Sequence, residues 1–136
     1  MKVRIKWLEQ RAFEAHTGSG HIIKMDGPPD HGGQNLAARP MEMVLVGLGG
    51  CSAFDVVEIF EKSRQEVTSC EINIDAQRVD EIPAVFSEIH MQFILGGKEL
   101  NEKHVKRAVE LSVDKYCSVA KMLRPDVAVT YDFEMS

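Results

Sequence analysis

Arg39 to Val57 reads RPMEMVLVGLGGCSAFDVV, and the way this stretch is read decides the fold. Between Met43 and Phe54 there is no charged residue, and Met41, Val44, Leu45 and Leu48 recur at helical spacing. A run this apolar predicts a helix buried on most sides, turning amphipathic at Asp55 and running out near Ser63. Gly47, Gly49 and Gly50 each cost a helix about 1 kcal/mol relative to alanine. Something must offset that cost. Either another helix packs closely against the glycines, or they allow a local kink that serves Cys51.

On the N-terminal side the pattern is that of strands. Val3, Ile5 and Trp7 share one face, opposed by Lys2, Arg4 and Lys6. A second short strand is predicted around Ala12 to His16. Thr17-Gly18-Ser19-Gly20 then turns the chain into a third, from His21 to Met25. Residues 27–40, GPPDHGGQNLAARP, read as an exposed Gly/Pro/Asn-rich connection. On the C-terminal side Cys70, Ile72, Ile74 and Ala76 alternate with polar residues, as do Ile89, Met91, Phe93 and Leu95, with a turn near Asp80 to Pro83. Asn101 is placed to cap a second helix striped by Val105, Ala108, Val109, Ser112 and Tyr116, with a break expected near Cys117 and an end at Arg124-Pro125. Val127, Val129, Tyr131 and Phe133 make a last strand. The order βββ-α-ββ-α-β over one domain, residues 1–136, is α+β, with antiparallel sheets around two long helices.

Composition narrows the function. With 44% hydrophobic and 27% charged residues, the chain is an ordered domain able to fold without a disulfide or metal staple. Sixteen Lys and Arg against twenty-one Asp and Glu give a net charge of −5, the wrong sign for a nucleic-acid partner. No 18-residue uninterrupted apolar run occurs, and MKVRIKWLEQ lacks a signal-peptide core, so a cytoplasmic protein without a membrane partner is expected.

The glycine run Gly47-Leu48-Gly49-Gly50 lacks the Gly-Lys-Ser/Thr ending of a phosphate-binding loop and follows no strand. His16, His21, His31, His90 and His104 include no i,i+4 pair, and there is no CxxC, so no structural zinc site and no metal cofactor are expected. His90 falls on the polar face of its strand. Of the three cysteines, Cys70 shares parity with Ile72 and Ile74 and reads as a small core residue. Cys51 and Cys117 admit the same packing role, yet each lies on a helix beside a plausible break. A helix restarting there would aim free N–H groups at the sulfur and lower its pKa.

These segments carry a resemblance. RPMEMVLVGLGGCSAFDVV resembles the first-cysteine helix of the OsmC/Ohr family (osmotically induced protein C and organic hydroperoxide resistance protein), and Lys115 to Val119, KYCSV, resembles its second-cysteine motif. The 66-residue separation of Cys51 and Cys117 and the order of elements agree with that family, most closely with its OsmC-like branch. The resemblance implies an intertwined homodimer acting as a thiol peroxidase in the oxidative stress response, with no bound cofactor. Cys51 would attack an organic hydroperoxide and become a sulfenic acid. Cys117 would trap it as a disulfide, and a dithiol reductant would reopen the bridge. Met41, Leu45, Phe54 and Met122 would offer the apolar wall of a substrate pocket.

Departures from the family pattern accompany it. The family glutamate ten residues before the first cysteine is here Met41, with Glu42 one place later, and Ser118 replaces the proline that follows the second cysteine. The arginine that pairs with the glutamate has two candidates, Arg11 and Arg39. Asp55, one helical turn after Cys51, would raise the thiol pKa unless a cation neutralises it. In a straight helix Glu42 and Cys51 differ by about 13.5 Å of rise and about 180° of rotation, so Glu42 would reach a Cys51 only through a bend or from a second subunit. Two further functions fit the same residues. One is a non-catalytic dimer of this fold binding a small apolar ligand at its interface; the other is a thiol redox sensor.

Overall fold

The alternation of basic and apolar side chains at the N-terminus forms the strand it predicts. In the computed structural model, which describes residues 1–136, β1 (Val3–Glu9), β2 (Ala12–Thr17) and β3 (Ile22–Met25) make an antiparallel meander in the order β1-β2-β3. The chain divides into two compact units, residues 1–46, which hold this sheet, and residues 47–136. Every residue of β1 is exposed, Val3 at 60% and Trp7 at 64% among them. The connection after β3 is more ordered than a surface loop. It contains a 3-10 turn at Pro29–His31, and the buried Asp26 carboxylate accepts the N–H groups of Gly27 (2.7 Å), Gln34 (3.3 Å) and Leu36 (3.3 Å). The hydrogen bond from Gly27, followed by the other two, holds that carboxyl below its ordinary pKa despite burial.

Helix α1 (Pro40–Lys62) is unbroken through all three glycines, so the kink does not form. Helix–helix packing does not offset the glycines within this chain either. A side chain at Gly49 would meet Ile74 of a strand, and Gly47 and Gly50 face open space. The buried stripe is also narrower than expected. Leu48, Ser52, Val56 and Phe60 recur every fourth residue, whereas Val44, Val46 and Phe54 are exposed. By length and composition alone α1 could cross a membrane. An apolar run shows how many faces a helix can bury, not how many its own chain covers.

In the second unit β4 (Glu66–Arg78) and β5 (Phe86–Lys98) pair antiparallel, as the alternation predicts. The last strand, β6 (Ala128–Met135), lies beside β5 in the order β4-β5-β6 but runs parallel to it, the one parallel strand pair in a fold whose strand pairing is otherwise antiparallel, as largely expected. The reason is the connection. A crossover through helices, not a hairpin, links β5 to β6, and a crossover returns the chain in the same direction. The second long helix is likewise three pieces: α2 (Glu102–Leu111), a π turn (Ser112–Tyr116) and α3 (Ser118–Leu123). Asn101 caps α2 as predicted, its side chain accepting the Lys103 and His104 N–H groups. The core of this unit comprises Leu48, Val56 and Phe60, the β5 face Ile89, Met91, Phe93 and Leu95, and Val105, Ala108, Val109 and Val113.

A polar clamp ties the π turn to the end of α3 and to β6. Arg124, at the end of α3, pairs with Asp114 of the π turn (2.7 Å) and donates to the carbonyls of Val113 and Val129. The Tyr131 hydroxyl on β6 donates to the same Asp114 carboxylate (2.6 Å). Burial pushes Asp114 up, but the Tyr131 bond and the Arg124 pair outweigh it and hold the carboxyl below its ordinary value. Burial, together with that carboxylate, pushes Tyr131 up to about 12.

Both shifts are stability statements. The Asp114 contribution is present above the ordinary carboxylate range and is lost as pH falls through its lowered pKa. The Tyr131 contribution is complete below about 10 and is lost as pH rises toward about 12. Arg124→Met should therefore lower stability near neutral pH by about 1 kcal/mol, a value discounted for partial exposure, and flatten the acid limb. Urea melts across pH check both.

Candidate active site

Two elements distant in sequence meet where α1 turns its buried stripe inward. Ser52 and Ser112 are both fully buried, and the Ser112 hydroxyl donates to the Ser52 carbonyl (2.9 Å). The π turn that starts at Ser112 then closes when the Cys117 N–H donates to the Ser112 carbonyl (2.7 Å). This widened turn ends with Cys117 in extended conformation (φ −68°, ψ 107°) as the N-cap of α3. The break expected near Cys117 is therefore present, and its form puts the sulfur at a helix start. There Cys117 Sγ accepts the Ala120 N–H (3.5 Å) and, from α1, the Ser52 hydroxyl (3.2 Å).

Cys51 directly precedes Ser52 and is half-buried, whereas Cys117 is 1% exposed. Cys51 Sγ, Cys117 Sγ and a carboxylate oxygen of Asp55 all lie within 4.8 Å of one another. Both cysteines are free, and rotation about the side chains has only a few ångströms to close before an S–S bond of about 2.05 Å can form. Burial raises the Cys117 pKa, and the neighbouring Cys51 adds to the rise. The Ser52 and Ala120 donors oppose it. Burial, then Glu58, raises Asp55, whose Oδ2 is buried with no hydrogen-bond partner.

The other expected site residues have separate tasks or places. Glu42 Oε1 accepts the Arg39 N–H (2.9 Å), so the carboxylate closes the first turn of α1, and the bend that would aim it at Cys51 of its own chain is absent. The Arg39 contribution is that backbone group. Arg11 donates to the Gln10 carbonyl (3.1 Å), and its guanidinium lies beside Gly32. Of the apolar wall, Phe54 lines a cavity of about 520 Å³ with Gly50, Ala53, Val57, Glu58, Glu61 and Cys70. Met122 on α3 is 71% exposed, and Met41 and Leu45 are half-buried in the first turns of α1. Cys70 is half-buried at this cavity, not sealed in the core, and burial raises its thiol pKa.

Sequence reasoning missed Ser52 and the bonding role of Ser112. The available signal was a serine at a position where Leu48, Val56 and Phe60 continue the buried stripe, because a buried hydroxyl requires a partner.

The sequence pattern described as "OsmC-like protein" matches residues 32–132. The chain belongs to the OsmC-like family. This OsmC-like chain is 45% identical over 135 residues to Protein YhfA of Escherichia coli K12, covering 99% of this chain and 98% of YhfA. A hypothetical protein of Aquifex aeolicus is 31% identical, with TM-score 0.82 over 99% of this chain and 96% of that one. An organic hydroperoxide resistance protein OsmC of Legionella pneumophila shares the fold at 14% identity, with TM-score 0.71 over 98% of this chain and 97% of that one.

If the Ser52 hydroxyl prepares Cys117 for chemistry, Ser52→Ala should slow native-state Cys51–Cys117 disulfide formation. Loss of a bond of about 1 kcal/mol corresponds to a roughly fivefold slower rate. Stopped-flow thiol oxidation measures it, and an unchanged rate would make the bond purely structural.

Proposed function

We propose that this OsmC-like protein is a cysteine-based thiol peroxidase that reduces organic hydroperoxides. The observation supporting the reading is the meeting of Cys51 and Cys117, 66 residues apart in sequence, within 4.8 Å. The half-buried Cys51 is the more accessible sulfur and attacks as thiolate. It takes the terminal oxygen of ROOH, and with one proton the products are the Cys51 sulfenic acid and ROH. The Cys117 thiol attacks the sulfenic sulfur, forming the disulfide and releasing water. A dithiol reductant restores both thiols and leaves as its own disulfide. The cavity beside Phe54 is apolar enough to receive a hydrocarbon chain.

The working unit of this reading is a homodimer. The apolar side chains of β1 are exposed, and so are Val46 and Phe54 on α1; each is surface of the kind that a second copy would cover. The dimer is also the route by which Arg11 or Arg39 would bring positive charge to a thiolate that has Asp55 beside it. Arg11→Met and Arg39→Met, compared by kcat/KM, decide which arginine serves.

Turnover is the test. With cumene hydroperoxide and a dithiol regenerant, the wild type should consume peroxide catalytically and elute at twice 15.2 kDa. Cys51→Ser should abolish turnover, and Cys117→Ser should stop after one peroxide with a trappable sulfenic acid. Stoichiometric oxidation without turnover would replace the enzyme by a sensor, and unreactive thiols would leave a ligand-binding dimer.

A further inference from the structure

The sulfur pair has a third neighbour that the peroxidase chemistry does not use. Asp55 brings a carboxylate oxygen within 4.8 Å of both Cys51 Sγ and Cys117 Sγ. Its Oδ2 is buried and bonded to nothing in the chain. Buried polar atoms are almost always partnered, so this oxygen calls for a proton donor or a cation.

The donor set answers which. Two thiols and a carboxylate gathered in one place are the ligand types of a Zn²⁺ site with three protein ligands and a fourth position left to water. Soft sulfur donors disfavour Mg²⁺ and Ca²⁺, which bind through oxygen. A zinc tetrahedron with bonds of about 2.0–2.3 Å has edges of about 3.3–3.8 Å, so donors already within 4.8 Å need to draw in by about 1 Å. The surroundings are also suitable. Cys117 Sγ already accepts the Ser52 hydroxyl (3.2 Å) and the Ala120 N–H (3.5 Å), hydrogen bonds that stabilise sulfur as a thiolate ligand and fix its direction.

We infer that the reduced protein holds one Zn²⁺ per chain on Cys51, Cys117 and Asp55. The spacing rules that exclude a zinc finger from this sequence test only donors close together in the chain. Here Asp55 follows Cys51 by one helical turn, and the third ligand arrives through the fold. The site and the disulfide use the same two sulfurs and exclude each other. Oxidation by diamide joins Sγ to Sγ, and the two electrons with two protons convert the azo group to a hydrazine. Both thiolate ligands are lost, and the ion leaves. This inference does not require peroxidase turnover.

The experiment is an anaerobic titration of the reduced, full-length protein with Zn²⁺ against a chromophoric chelator, and with Co²⁺ as a spectroscopic probe. One ion per chain should bind. The Co²⁺ form should show sulfur-to-metal charge-transfer absorption and the intense visible bands of a tetrahedral site. Asp55→Asn should weaken Zn²⁺ binding by at least about tenfold, Cys117→Ser should remove the charge-transfer contribution of one sulfur, and Cys70→Ser should change neither readout. Diamide added to the loaded wild type should release one Zn²⁺ per disulfide formed, a readout that needs no variant to fold. Absence of binding to the reduced wild type would overturn the inference. So would binding that survives disulfide formation, or that depends on Cys70 and not on Asp55.

Discussion

The contact between two buried serines and one buried cysteine is the constraint on which the site depends. Ser112 donates to the Ser52 carbonyl, and Ser52 donates to Cys117 Sγ, so α1 and the π turn are joined by bonds that water does not reach. Inside a protein such bonds are costly to lose, because each leaves an unpartnered polar atom behind. The contact sets the rotation of α1 relative to the broken second helix. Cys51, one position before Ser52, and Asp55, three after it, follow from that rotation. Moving either element changes which α1 residue faces Cys117.

The π turn makes the geometry possible. A continued α-helix would have kept the Cys117 N–H and sulfur within the regular helical pattern. One widened turn instead places Cys117 in extended conformation at the start of α3, where it receives an N–H donor. The Arg124–Asp114–Tyr131 clamp then ties the π turn, the end of α3 and β6 together. Burial raises the pKa of this cysteine, and the donors oppose it. Its chemical character is set by the balance between a dry position and well-aimed hydrogen bonds.

Much of this was legible in the sequence. Alternation placed the strands, Asn101 the second helix, and Tyr116-Cys117-Ser118 the break. The parallel direction of β6 was not legible in its own residues, since Val127, Val129, Tyr131 and Phe133 alternate the same way in either direction. It follows from the helical connection that precedes it. The burial of α1 was overstated because hydropathy counts apolar faces without saying which molecule covers them. At the site, the cysteine pair was legible and Asp55 half so. Ser52 and the capping task of Glu42 were not, because both depend on a partner atom that only the folded chain supplies.

The most direct measurement is peptide mapping of the native, reduced protein after one equivalent of cumene hydroperoxide. The account predicts a single Cys51–Cys117 disulfide-linked peptide, with Cys70 recovered as a free thiol. A bridge that includes Cys70, or recovery of both Cys51 and Cys117 as thiols with the peroxide unconsumed, would contradict it.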